Sequence, residues 1–154
     1  MTLDNFTDVI DFAVARENEA VQFYTDLQNM AKFAAQKEML SELADMERGH
    51  VNMLEALRAK GQEGVAASAK AQNAPNLMIS EYLVEAPPTD HMTYQDILVI
   101  AMKREEKSLK LYTEMAERFA GSDLALVFKR IAGEEADHKL RFEKLYDEEV
   151  LTDN

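Results

Sequence analysis

Two short stretches of this sequence combine carboxylate and imidazole side chains at a spacing that suits metal binding. Glu47 precedes His50 by three residues, and Glu135 precedes His138 by the same three. On an α-helix this spacing places both side chains on one face and on adjacent turns, so each pair can reach one point in space. The sequence therefore predicts a site for two metal ions.

A further glutamate lies thirty residues before each pair: Glu17 precedes Glu47, and Glu105 precedes Glu135. Each falls on an apolar stripe that repeats every three or four residues, where a buried carboxylate needs a partner to offset its lost hydration. By symmetry, Glu47 and Glu135 are expected to bridge the two metals. Glu134 is an alternative to Glu135, through a four-residue spacing to the histidine. The predicted metal ligands are Glu17, Glu47, His50, Glu105, Glu135 and His138.

The sequence contains an internal repeat. Residues 5–60 align without gaps on residues 93–148 at a constant offset of 88. The identical pairs include all the predicted ligands and also Tyr24 with Tyr112. A repeat of this length indicates two copies of one structural unit, and it favours Glu135 over Glu134 as the ligand.

The first repeat predicts a helical hairpin. Apolar spacing indicates a helix over residues 5–32, capped by Asn5, and a second helix from Ala35 to Lys60. Gly61 follows that helix and fits its C-cap. The second hairpin spans residues 93–148.

Between the hairpins, residues 61–92 predict a long crossover, in which the apolar segment 77–84 would pack on the side of the bundle. Thr93 is expected to cap the third helix, with Asp96 at its third position. From Glu148 onward the chain reads as a short acidic tail. The prediction is an all-α fold, a four-helix bundle of two duplicated hairpins in a single domain over residues 1–154.

The composition of the chain argues against several classes of binding partner and site. The formal charge is −12 and no cysteine is present. The charge disfavours nucleic acid and anionic membranes as partners, because both select basic patches. The absence of cysteine excludes disulfides, thiolate zinc sites and iron–sulfur clusters. The first residues have neither a basic start nor a continuous apolar run, so we expect no signal peptide, no membrane span and a cytoplasmic location.

Around these residues the sequence resembles the ferritin-like di-iron superfamily, in particular its rubrerythrin and bacterioferritin branches, and most of all the short rubrerythrin-like proteins. The motifs are Glu17-x-x-Ala20-x-x-x-Tyr24, Glu47-Arg48-Gly49-His50, Glu105-x-x-Ser108-x-x-x-Tyr112 and Glu134-Glu135-Ala136-Asp137-His138. The resemblance implies a ferritin-like bundle, two iron ions cycling between Fe2+ and Fe3+, reaction with O2 or H2O2, and a homodimer. Manganese or zinc could replace iron.

Three departures limit what the resemblance implies. Ser108 stands where rubrerythrins have a further glutamate, which makes the ligand set similar to that of bacterioferritin. The rubredoxin domain is missing, so a peroxidase would need a separate electron donor such as a rubredoxin. Arg48 stands where bacterioferritins have their haem-ligating methionine, so no haem is predicted.

The functional prediction is a di-iron oxidoreductase, either a ferroxidase or a peroxidase, acting in oxidative-stress defence or iron handling. One alternative is a non-enzymatic protein that binds or stores iron or another divalent metal. A second is a helical interaction module whose metal site is only structural. Tyr24 and Tyr112, each seven residues after a ligand, are expected to bond a nearby carboxylate, with a redox role as the alternative.

Overall fold

The computed structural model of the chain describes residues 2–3, 6–67, 77–78 and 93–153, with side-chain surroundings for residues 6–60 and 93–148. Helices α1 and α2 pack against each other, α3 and α4 do the same, and α2 also contacts α4. The predicted all-α bundle of two helical hairpins is confirmed. The helices are α1 (Phe6–Met30), α2 (Ala34–Ala67), α3 (Tyr94–Arg118) and α4 (Asp123–Asp153).

Two very short strands, which the sequence pattern did not predict, join the start of the chain to the crossover. Strand β1 (Thr2–Leu3) pairs antiparallel with β2 (Leu77–Met78), and Thr2 lies opposite Met78. This pairing fixes part of the crossover to the beginning of the chain. The rest of the apolar segment 77–84, and its predicted packing on the bundle, lies outside the described residues.

Two helix ends differ from the prediction. Helix α2 continues through Gly61 to Ala67, so the predicted C-cap at Gly61 is wrong. The neighbouring Ala, Lys, Gln and Glu residues are strong helix formers, and Gly61 and Gly64 each cost only about 1 kcal/mol. Helix α4 continues to Asp153, so the predicted tail from Glu148 is helical. No glycine or proline follows Glu148 to end the helix.

The start of α3 has the predicted capping box. The amide of Asp96 donates to Thr93 Oγ1 at 3.1 Å, and the amide of Thr93 donates to Asp96 Oδ2 at 3.0 Å. Between α3 and α4, Gly121 has a φ of +85°, a left-handed conformation that favours glycine. The other predicted cap, Asn5, lies outside the described residues.

The core is divided into two apolar clusters by a layer of buried charge. The Phe128 cluster includes Phe6, Tyr112 and Phe128, whereas the Phe142 cluster includes Tyr24 and Phe142. Every helix contributes residues to both clusters. In each helix, the predicted ligands lie between the residues of one cluster and those of the other. The bundle therefore brings the ligand-bearing segments of all four helices to the same height along its axis.

No helix in the described part of the chain is long and apolar enough to cross a membrane.

Candidate metal centre

All the predicted ligands lie in the buried layer between the two apolar clusters. Among the side chains that the structure describes, the buried charged or imidazole groups are these six and Arg118. Helices α1 and α3 each contribute one glutamate, and α2 and α4 each contribute one Glu-x-x-His pair. The spacing within each pair places both side chains on the inward face of their helix. The residues brought together are Glu17, Glu47, His50, Glu105, Glu135 and His138.

These side chains form two overlapping groups, and the ligand atoms within each group lie within 4.8 Å of one another. Glu47 and Glu135 belong to both groups. This arrangement can hold two cations that share carboxylates. The first group is Glu17, Glu47, His50 and Glu135, and the second is Glu47, Glu105, Glu135 and His138.

Each histidine directs its Nδ1 atom toward the carboxylates. His50 Nδ1 lies 2.9 Å from Glu135 Oε1 and 3.2 Å from Glu47 Oε2. His138 Nδ1 lies 3.1 Å from Glu47 Oε1 and 3.5 Å from Glu105 Oε2. Nδ1 is therefore the imidazole atom placed to bind a metal in both groups.

The residues fit divalent cations. Glu105 Oε2 and Glu135 Oε1 are buried and have no partner with good hydrogen-bond geometry, although a histidine Nδ1 lies near each of them. A buried carboxylate oxygen without a well-aligned hydrogen bond is unfavourable, and a cation at this position would satisfy it. Carboxylate oxygens combined with imidazole nitrogens suit iron, manganese and zinc.

Glu135 and Glu134 take different positions, although both were considered as ligands. Glu135 belongs to both groups, whereas Glu134 belongs to neither. Glu134 Oε2 lies 2.6 Å from His50 Nε2, on the outer side of the imidazole ring, and the Glu134 side chain is 29% exposed. His138 Nε2 lies 3.3 Å from Met46 Sδ. Sequence reasoning missed both contacts, although each residue immediately precedes a shared glutamate.

The two tyrosines link opposite halves of the repeat. The Tyr112 hydroxyl donates to Glu17 Oε1 at 2.5 Å, and the Tyr24 hydroxyl donates to Glu105 Oε1. Each tyrosine thus bonds the glutamate of the other repeat unit, not the one that precedes it in sequence. Burial, followed by the nearby carboxylates, raises the pKa of both tyrosines well above the ordinary value, so they remain hydrogen-bond donors.

The buried, closely spaced carboxylates have shifted pKa values. Burial, and then repulsion from neighbouring glutamates, raises the pKa of Glu17 and of Glu135 well above the usual range. Burial also opposes ionisation of Glu47, but hydrogen bonds from Glu17, His138 and His50 outweigh it and lower its pKa.

The pKa values of both histidines are also raised, although burial acts on an imidazole in the opposite direction. Burial lowers the pKa of an imidazole, but hydrogen bonds to the carboxylates outweigh burial and raise the pKa of His50 to about 11 and that of His138 to about 9. Without a cation the layer therefore retains protons. Metal binding must release them, because imidazole binds a metal only when neutral.

The remaining acidic and polar residues singled out in the sequence lie away from this layer. Glu55 and Glu143 are at the surface and form ion pairs with Arg58 and Lys139. Ser108 lines a small cleft between α1 and α3 and contributes no carboxylate to either group. His91 lies outside the described residues.

Comparison with known proteins agrees with this geometry. The model of the family described as Rubrerythrin matches residues 2–82 and 96–154. The chain belongs to the rubrerythrin family. This confirms the resemblance predicted from the motifs. Family membership and the buried Glu and His cluster together suggest that the protein binds two iron ions.

A solved structure extends the comparison of this rubrerythrin-family chain to its fold. A Thermotoga maritima protein, described as a ferritin-like diiron-carboxylate protein, superposes with a TM-score of 0.76 at 22% identity. The match covers 97% of each chain, so the predicted ferritin-like fold is confirmed. No curated protein matches the sequence.

Proposed function

We propose that this rubrerythrin-family protein is a di-iron oxidoreductase that reacts with O2 or H2O2. The observation that supports the proposal best is the pair of overlapping ligand groups, because both contain Glu47 and Glu135. Glu47 and Glu135 would hold two cations side by side, and such a pair could act on one small molecule. Bound iron would supply the electrons that reduce the oxidant.

The protein contributes charge and geometry. Four glutamates provide anionic oxygens, which are hard ligands and stabilise iron increasingly as its charge rises. The Tyr112 and Tyr24 hydroxyls hold Glu17 and Glu105 in fixed orientations. The terminal carboxylates are therefore positioned before the metals bind, which reduces the reorganisation that binding requires.

The apolar clusters on both sides of the charged layer shield the metal ligands from water. The Phe128 cluster closes one side of the layer and the Phe142 cluster closes the other. These side chains exclude water from the ligands, and a low-dielectric surrounding strengthens their electrostatic interaction with cations.

The test is an anaerobic titration of metal-free protein with Fe2+, followed by separate pulses of O2 and H2O2 under optical detection. We expect two irons per chain and ferric absorption that forms faster than in buffer. Repeated cycles with H2O2 and an added reductant identify a peroxidase, which in the cell would need a separate electron donor. Consumption of Fe2+ far beyond two per chain, with O2, identifies a ferroxidase.

A matched pair of variants makes this test specific. Glu47→Ala removes a carboxylate common to both ligand groups, whereas Glu55→Ala removes an exposed glutamate from the same helix. We expect the first to lose rapid oxidation and the second to retain it. Tight binding of two metals with no oxidation above the buffer rate would contradict the oxidoreductase and favour metal binding or storage.

A further inference from the structure

The two histidines of the metal centre have different partners on their outer nitrogen atoms. His50 Nε2 lies 2.6 Å from a carboxylate oxygen of Glu134. His138 Nε2 lies 3.3 Å from the thioether sulfur of Met46. The Nδ1 atoms of both rings face the shared carboxylates. The two histidines therefore differ only in the residue that contacts Nε2, which is not a metal ligand in either case.

The internal repeat makes this difference informative. Glu134 and Met46 occupy equivalent positions, each immediately before a shared glutamate. Each reaches across to the histidine of the other hairpin. The repeat therefore keeps the metal ligands identical in the two halves while the groups that support the histidines differ.

The charge near these groups differs in the same way. Arg130 lies one helical turn before Glu134, with its Nε atom 3.9 Å from Glu134 Oε1. The residue equivalent to Arg130 in the first repeat is Glu42. His50 thus has a carboxylate partner that lies near the guanidinium of Arg130. His138 has a neutral sulfur partner instead.

A carboxylate oxygen accepts hydrogen bonds, so Glu134 Oε2 favours the His50 form that has its proton on Nε2. This leaves a lone pair on Nδ1, on the side of the shared carboxylates where a metal would bind, and increases the electron density on the ring. A thioether is a weak acceptor, so Met46 has a much smaller effect on the tautomer and electron density of His138. Loss of such a supporting partner typically reduces metal affinity by about 10- to 100-fold.

We propose that Glu134 and Met46 make the two metal positions unequal, so that the position with His50 fills first and releases its ion last. Glu134 acts as a positioning residue, through His50. This inference rests on the proposed metal site, but not on its reaction with an oxidant. The ion beside His138 is the exchangeable one, and the ion beside His50 is retained.

The experiment adds Zn2+ to metal-free protein and follows the histidine ring nitrogens by 15N NMR, with a parallel optical titration using Co2+. In the wild type we expect the His50 signals to shift at the first equivalent and the His138 signals at the second. The two Co2+ dissociation constants should differ by about 10- to 100-fold. This readout needs no enzymatic turnover.

Exchanging Glu134 and Met46 tests whether these residues cause the difference between the two metal positions. Glu134→Met gives both histidines a sulfur partner and should bring the two constants together by weakening the tighter one. Met46→Glu should bring them together by tightening the weaker one. The double variant, Glu134→Met with Met46→Glu, should restore two steps in reversed order, with His138 shifting first. A purely structural effect of either substitution would not reverse the order.

The control is Glu143→Met, which makes the same change of charge on α4 at a surface glutamate paired with Lys139. It should leave the binding order and the separation of the constants unchanged. Equal shifts of both histidines in the wild type, or an unchanged order in the double variant, would overturn the inference and leave the oxidoreductase proposal standing. Failure of the wild type to bind any metal would overturn both.

Discussion

The Tyr112 hydroxyl, on α3, donates a 2.5 Å hydrogen bond to Oε1 of Glu17, on α1. Tyr24 makes the reciprocal bond from α1 to Glu105 on α3. The Tyr112 ring stacks on Phe128, and the Tyr24 ring stacks on Phe142. Each tyrosine therefore connects a candidate ligand of one hairpin to an apolar cluster, which couples metal binding to packing of the core.

Removing the Tyr112 hydroxyl should destabilise the metal-free protein. In Tyr112→Phe the ring is retained, but Glu17 loses a buried donor, and an unsatisfied buried acceptor costs about 1–3 kcal/mol. Urea unfolding in the presence of a chelator measures the loss. Tyr146→Phe, which changes a partly buried tyrosine outside the charged layer, should cost less than Tyr112→Phe. Equal losses in the two variants would contradict this account.

The shared and terminal glutamates should differ in their effect on metal binding. Glu47 belongs to both ligand groups, whereas Glu17 belongs to one. Glu47→Ala should therefore weaken binding of both ions, and Glu17→Ala should mainly weaken one. A Co2+ titration of each variant measures the two constants. A loss confined to one ion in Glu47→Ala, like that expected for Glu17→Ala, would show that Glu47 does not bridge.

Metal binding should raise the melting temperature. The metal-free layer buries four glutamates and two histidines, and a cation offsets their desolvation and mutual repulsion. At a free concentration one hundred times the dissociation constant, one bound ion stabilises the fold by about 2.7 kcal/mol. For a chain of this size, 1 kcal/mol corresponds to about 2–4 °C. Calorimetry before and after chelation should show a gain of about 5–10 °C per ion, and no gain would mean that folded and unfolded chains bind metal equally.

The Phe128 cluster should be sensitive to truncation. Phe128 is fully buried and contacts Phe119 and Tyr112. Phe128→Ala should lower the free energy of unfolding by about 3–5 kcal/mol, because it removes apolar contacts and leaves a cavity. Leu126 is 64% exposed on the same helix, and Leu126→Ala should change stability by no more than about 0.5 kcal/mol. Chemical unfolding compares the two, and similar losses would contradict the assigned core.

The capping box of α3 should contribute measurable stability. Thr93→Ala removes the side-chain oxygen that accepts from the Asp96 amide, which should cost about 0.5–2 kcal/mol. Thr93→Ser keeps the oxygen and should retain most of the stability. The two thermal unfolding curves give the comparison. A serine variant as unstable as the alanine variant would show that the hydroxyl is not responsible.

Much of the fold and all of the candidate ligands could be predicted from periodicity. Glu17 and Glu105 are charged residues on apolar stripes, and each Glu-x-x-His pair occupies one face of its helix. These are local properties of a helix, so they can be read from spacing alone. The repeat then related the two halves, since it aligned every ligand at one offset.

Helix ends were less predictable, because a single glycine changes the local free energy by an amount that neighbouring residues can outweigh. Helix α2 passes through Gly61 for this reason, whereas Gly121 lies in the turn after α3 and has a positive φ. Sequence gives the residue type at both positions. Residue type alone does not show which of these glycines lies inside a helix and which lies in a turn.

The sequence by itself determined the two-hairpin architecture and the glutamates and histidines of the buried layer, because helical periodicity fixes which residues share a face. Only the tertiary structure decided that Tyr112 bonds Glu17 and that Glu134 stands behind His50. It also decided that β1 pairs with β2. These contacts join segments far apart in the chain, and their partners depend on how the helices align with each other, which no local spacing specifies.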